Sequence, residues 1–331
     1  MTGSGHRDPV SAEPTSPSLT RRIRHGIEFA ALYTLYRATR LLPWNWLGPI
    51  GRAVGRIVHD LVPIRRGVVR ANLRGAFPAH SEAEIRELAR RFYTTLGVTL
   101  LEFFAFHRLG DERIRALTEI ENEEILHQLR DSGRGALLVS GHYGNWELMG
   151  AALAARGYPV RFLAKPQSNQ RVDRVQNALR AKVGVGVIRE GSAREMVRAL
   201  RRGELIGLLG DQDAGPGGIF IDFLGRPASV FRGTAYLSWR LKCPIVTGTP
   251  HRGEDGIHRV HVEGPVMPDH DWDEETAIQR LTEAHTQPLE RAIRAAPEHY
   301  YWLHRRWKTP PPQDHRADAN GGRAPEDQGS V

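Results

Sequence analysis

The chain has 331 residues, 40% hydrophobic and 25% charged, which is enough for a sizeable core in one large domain or two smaller ones. A net charge of +8 favours anionic partners: nucleic acid, an acidic membrane surface, a phosphorylated substrate or an acidic carrier protein, unless the arginines are merely solvated. The single cysteine, Cys243, excludes an internal disulfide framework and fits a reducing compartment.

Residues 1 to about 20 are polar and rich in Ser, Pro and Gly, which predicts a disordered N-terminus and no secretory signal. Residues 21–75 read as an amphipathic helical region. Within it, Gly26 to Val58 is rich in aromatics and Leu, but Glu28, Arg37, Arg40, Pro43 and Arg52 break it below the ~18 apolar residues of a spanning helix. Trp44, Trp46 and the nearby arginines suit a headgroup interface; an ordinary pair of core helices fits the pattern equally. Arg65, Arg66, Arg70 and Arg74 follow as one cationic helix face.

Ser81-Glu82-Ala83-Glu84 is a capping box that opens a long helix. Its Ile85, Leu88, Phe92, Tyr93, Leu96 and Leu100 recur at core-facing steps. From Glu121 short apolar runs alternate with helical patterns. Helices are expected near 121–130, 145–156, 169–183, 192–201 (opened by a second capping box, Ser192 to Glu195) and 232–241. Strands are expected at 136–140, 160–163, near 187, and at 204–209, 244–247 and 258–263. This alternation predicts an α/β domain over residues 76–308, with a single mainly parallel sheet covered by helices. A disordered tail is expected from Thr309.

The strand Ala136 to Ser140 ends on Gly141-His142-Tyr143-Gly144-Asn145-Trp146-Glu147, which places His142 where open α/β sheets form ligand crevices. The five-residue offset to Glu147 carries no weight alone, because His107/Glu112, His258/Glu263, His270/Glu275 and His285/Glu290 repeat it. Context distinguishes His142, and a second strand ending on Gly210-Asp211-Gln212-Asp213 would open on the same sheet edge. A histidine near its ordinary pKa can take a hydroxyl proton at neutral pH, with a carboxylate to orient it. No Gly-x-Ser-x-Gly elbow is present, so the nucleophile belongs to a substrate and the chemistry reads as transfer to an alcohol or amine. The histidines lack a tight metal-ligand cluster; His258 and His261, the nearest pair, read as strand surface.

Three blocks carry a resemblance: Ser140 to Glu147; Gly210 to Asp213 with Gly218 to Ala228; and Tyr300-Tyr301-Trp302-Leu303-His304-Arg305-Arg306-Trp307-Lys308. In this order they resemble the late acyltransferases of bacterial lipid A biosynthesis, within the lysophospholipid acyltransferase superfamily. The resemblance implies a glycerolphosphate acyltransferase-like αβα sandwich. It also implies acyl transfer from acyl carrier protein or acyl-CoA to a glycolipid hydroxyl on the cytoplasmic face of the inner membrane, with peripheral or monotopic attachment and no further cofactor. It makes His142 the general base and Glu147 its orienting partner, with Arg180, Asp211, Asp213, Lys165 and Asn145 as substrate-binding positions. Arg180 would bind a glycolipid phosphate or a carrier phosphopantetheine, or pair with Asp211. Lys165 stands where the family often has the arginine of a Tyr-Arg-Pro, which keeps the charge and loses the planar fork.

The aromatic and cationic C-terminal block also resembles a nucleic-acid groove, but no nucleic-acid module accompanies it and no such partner is expected. The remaining readings are an acyltransferase for another glycolipid or lysophospholipid, such as a mannosylated phosphatidylinositol, a lipid hydrolase, or a non-catalytic anionic-lipid or nucleic-acid binder.

Overall fold

The computed structural model describes residues 19–312 apart from Pro63 and His270. The expected disordered ends fall largely outside these residues. Thr309, however, lies inside them, where its backbone N–H and hydroxyl both donate to Asp213.

Four helices come first: α1 (Leu19–Thr39), α2 (Trp44–Leu61), α3 (Arg66–Ala76) and α4 (Glu82–Ala105). The rest alternates: α5 (Asp111–Ala116), β1 (Thr118–Glu121), α6 (Glu124–Asp131), β2 (Ala136–Ser140), α7 (Trp146–Ala155), β3 (Val160–Ala164), α8 (Gln170–Lys182), β4 (Gly186–Arg189), α9 (Ala193–Arg201) and β5 (Leu205–Leu209). A hairpin of β6 (Ile219–Phe223) and β7 (Arg226–Val230) precedes α10 (Gly233–Leu241), β8 (Ile245–Arg252), β9 (His258–Val266) and α11 (Glu274–Ala295).

Seven strands form one sheet in the order β1-β9-β8-β2-β5-β3-β4, parallel at every pairing except β8 with β9. β2 is central and buried throughout. Its Leu137 and Val139 pack with Ile206, Leu208 and Leu281 on one face, and its Ala136 and Leu138 with Leu148, Met149 and Phe162 on the other. That two-sided burial explains why the strand reads as an unbroken apolar run.

The expected α/β sandwich is therefore present. The Ser81 capping box forms, with the hydroxyl accepting from Glu84 and the Glu84 carboxylate from Ser81. The second one does not, since Ser192 makes no capping hydrogen bond. The hairpin, β1 and α11 escaped the sequence reading; Pro288 lies within α11 and interrupts its helical pattern.

α2 crosses α4 closely enough that a methyl group at Gly55 would sit 2.1 Å from Tyr93 O, and one at Gly51 2.5 Å from Val98 Cα. α4 is fixed to the sheet by buried Glu102, whose carboxylate meets Arg252 at 2.8 Å and His258 Nε2 at 3.0 Å. His258, expected on a strand surface, is thus a core residue, whereas His261 is half-buried beside Glu121. Its strand β9 sits between β1 and β8, and α4 covers the side on which His258 emerges.

Candidate active site

β2 and β5 pair in parallel with Ser140 opposite Leu209, so the residues beyond them emerge together at the carboxyl edge. His142 Nδ1 lies 2.8 Å from Asp211 Oδ1, and the His142 backbone N–H donates to Asp211 Oδ2 at 2.9 Å. An ionised carboxylate only accepts, so Nδ1 carries the proton and Nε2 of the neutral ring keeps its lone pair. Trp146 packs edge-on against the imidazole at 4.9 Å between centroids, and Tyr301 lies at 5.9 Å.

The turn after β2 is built for this placement. Gly144 has φ +55°, and a Cβ there would lie 1.8 Å from Pro250 O, so no larger residue fits. The C-terminal segment closes over the turn, with Gly144 N–H donating to His299 O and Tyr301 N–H to His142 O.

Burial lowers the His142 pKa, but the charge and hydrogen bond of Asp211 outweigh it and leave the pKa raised. Burial pushes the Asp211 carboxyl up, while His142 and then Arg306 pull it down, so the net direction is down. Arg306 is 1% exposed; it donates to Ser229 O at 2.7 Å and sits over the Phe223 ring. The sequence reading placed Arg306 in a cationic surface block. Arginine density in the motif gave no sign that this guanidinium is the buried one.

Glu147 is not the carboxylate on His142. Its two oxygens accept from Nε (2.9 Å) and the terminal nitrogen of Arg180 as a buried bidentate pair. The physical reason is direction: α7 begins at Trp146 and carries Glu147 towards α8, while the imidazole turns to the β5 side. The alternative pairing of Arg180 with Asp211 is excluded by the same contacts. Burial lowers the Arg180 pKa and Glu147 raises it, with a net increase.

The other expected binding residues divide. Asn145 caps α7, accepting from Leu148 N–H at 3.1 Å, and its buried Nδ2 has no partner among the described residues. The Asp213 carboxylate accepts from the Thr309 backbone N–H and hydroxyl and from the Gly215 N–H. Lys165 is exposed just beyond β3.

Two cavities flank the pair. One of about 40 Å³ is mostly apolar and is lined by Trp146, Met149, Phe162, Leu209, Glu147 and Arg180. The other, only about 10 Å³, lies behind Asp211 and is lined by Ser140, Thr247, Thr249, His285 and Arg306 among others. Burial takes His285 down to about 4, so it is neutral there. Among the described residues, no group of three or more His, Cys, Asp or Glu could hold a metal ion.

Residues 17–309 match the family model described as bacterial lipid A biosynthesis acyltransferase. The chain belongs to that family. This acyltransferase is 29% identical over 273 residues to the lipid A biosynthesis palmitoleoyltransferase of Escherichia coli, covering 82% of this chain and 87% of the relative. It is 28% identical to the lauroyltransferase of the same organism, over 82% and 88% of the two chains. It is 28% identical to the lipid A biosynthesis acyltransferase of Haemophilus influenzae, over 84% and 89%. Among solved structures it aligns with the 1-acyl-sn-glycerophosphate acyltransferase PlsC of Thermotoga maritima at 13% identity and a TM-score of 0.35, covering 82% and 98% of the chains. The α/β assignment accordingly rests on the acyltransferase's own strand order and pairings.

Proposed function

We propose that this acyltransferase moves a fatty acyl chain from a thioester of acyl carrier protein or CoA to a hydroxyl of a lipid A precursor, with His142 as general base. The observation that carries the reading is the Nδ1 contact to Asp211, which leaves Nε2 as the acceptor. The acceptor hydroxyl gives its proton to Nε2 as its oxygen attacks the thioester carbonyl; the carbon–sulfur bond breaks, and the imidazolium returns the proton to the leaving thiolate. Asp211 stabilises the imidazolium, and the Glu147–Arg180 pair forms one wall of the apolar cavity beside the base.

The reaction takes place at the cytoplasmic membrane surface. Leu19, Ile23 and Ile27 on α1 and Trp46, Ile57 and Leu61 on α2 are exposed, which supports interfacial attachment. No helix among the described residues is long and apolar enough to cross a membrane.

Purified protein supplied with acyl carrier protein thioester and lipid A precursor should give an acylated lipid by mass spectrometry, and His142→Ala should abolish it. Product formation by His142→Ala overturns the mechanism. Release of free fatty acid without acylated lipid would instead make the protein a hydrolase.

A further inference from the structure

Away from His142, α1 and the beginning of α8 border an open cleft of about 660 Å³, whose lining includes Arg21, Arg22, His25, Asn169, Arg171 and Arg174. Arg171 and Arg174 are exposed, and the Arg171 guanidinium lies 5.8 Å from the Phe29 ring centroid. None of Arg22, Arg171 and Arg174 forms a salt bridge with a carboxylate among the described residues. Of the neighbouring acids, Glu28 pairs with Arg24 at 3.6 Å and accepts from Asn169 at 3.4 Å, and Asp173 accepts from the Gln167 N–H at 3.0 Å and from Asn177 at 3.2 Å.

Guanidinium groups gathered on one surface repel one another and are stabilised by an anion. Their planar donors match the oxygens of a phosphoryl group in bidentate fashion. The surroundings show what carries that group. The helix that supplies Arg21 and Arg22 also presents Leu19, Ile23 and Ile27, exposed at 72%, 55% and 66%. Next to the cleft, Phe29, Leu32, Tyr33, Val172 and Val175 line a shallow apolar recess. Cations beside apolar surface suit an amphiphile, with a charged head in the cleft and hydrocarbon at its rim; a free anion or an acidic protein needs no such rim.

We propose that this cleft binds the phosphoryl group of a lipid headgroup and anchors the acceptor at a second point remote from the base; the identity of that lipid as the acceptor rests on the acyltransferase reading above.

The test uses the full chain and vesicles of phosphatidylcholine with or without phosphatidic acid. Arg171→Gln/Arg174→Gln should lose about thirtyfold in affinity for the phosphatidic acid vesicles, two cations at roughly 1 kcal/mol each. Arg86→Gln/Arg194→Gln, which removes the same charge from exposed positions outside the cleft, should lose little. In turnover, the cleft variant should raise the acceptor KM and leave kcat unchanged. Equal losses in both double variants would overturn the proposal, as would displacement of the protein by inorganic phosphate at the concentration at which the vesicles bind. So would a cleft variant that loses acyl carrier protein binding while retaining vesicle binding. His142→Ala should abolish turnover without altering vesicle affinity. The vesicle measurement therefore decides the cleft even if no acyl transfer is found.

Discussion

Replacing Asp211 with Asn preserves shape and removes the charge, and the two contacts of this carboxylate with His142 dictate how the new side chain must sit. The His142 backbone N–H can only donate, so the carboxamide must turn its oxygen towards it, at the position of Oδ2. The NH2 group then occupies the position of Oδ1, 2.8 Å from His142 Nδ1, and donates to it. Nδ1 becomes the acceptor and the ring proton moves to Nε2, which can no longer accept from a hydroxyl. A base held in the wrong tautomer costs roughly 10³ to 10⁴ in turnover, or about 4 to 5.5 kcal/mol at 1.36 kcal/mol per decade. The assay is initial-rate acyl transfer to the lipid acceptor under saturating donor, together with 15N chemical shifts of the His142 ring to read the tautomer. Turnover within tenfold of wild type, or an unchanged tautomer alongside lost activity, would refute the role of Asp211.

The raised pKa of His142 predicts that kcat/KM falls as pH drops through a value above 6.5, because only the neutral ring accepts a proton. The same pair stabilises the fold within a window. The His142 contribution is lost as pH rises through its raised folded value, and the Asp211 contribution as pH falls through its depressed one, so urea denaturation should find Asp211→Asn most destabilising between about pH 4 and 6.5. Arg180→Met leaves the buried Glu147 carboxylate unpaired and should cost about 3 to 5 kcal/mol in denaturant unfolding, with part recovered in Arg180→Met/Glu147→Leu; an additive double variant would contradict the pairing. Trp46→Ser/Ile57→Ser should weaken partitioning onto vesicles by roughly three orders of magnitude, at about 2 kcal/mol of transfer energy each, without changing turnover of a detergent-dispersed acceptor.

The alternation of apolar strands with amphipathic helices fixes the α/β architecture locally, since burial on both faces demands a continuous run such as Ala136 to Ser140. The chain itself also indicated that His142 and Asp211 leave neighbouring strand ends, because parallel strands joined by crossover helices share one carboxyl edge. Which carboxylate faces the imidazole was beyond it. Glu147 is five residues away and Asp211 sixty-nine, yet the ring turns to the distant one, because the start of α7 directs the near one to Arg180. Arg306 and His258 likewise read as surface residues among many cations and alternating strand positions. Only the closing of the C-terminal segment over the site, and of α4 over β9, buries them. Periodicity along the chain reports burial within one element, whereas the partner of a charged group is set by where separate elements meet. The position of the proposed base was therefore legible in the sequence, and the carboxylate that faces it was decided by the tertiary structure.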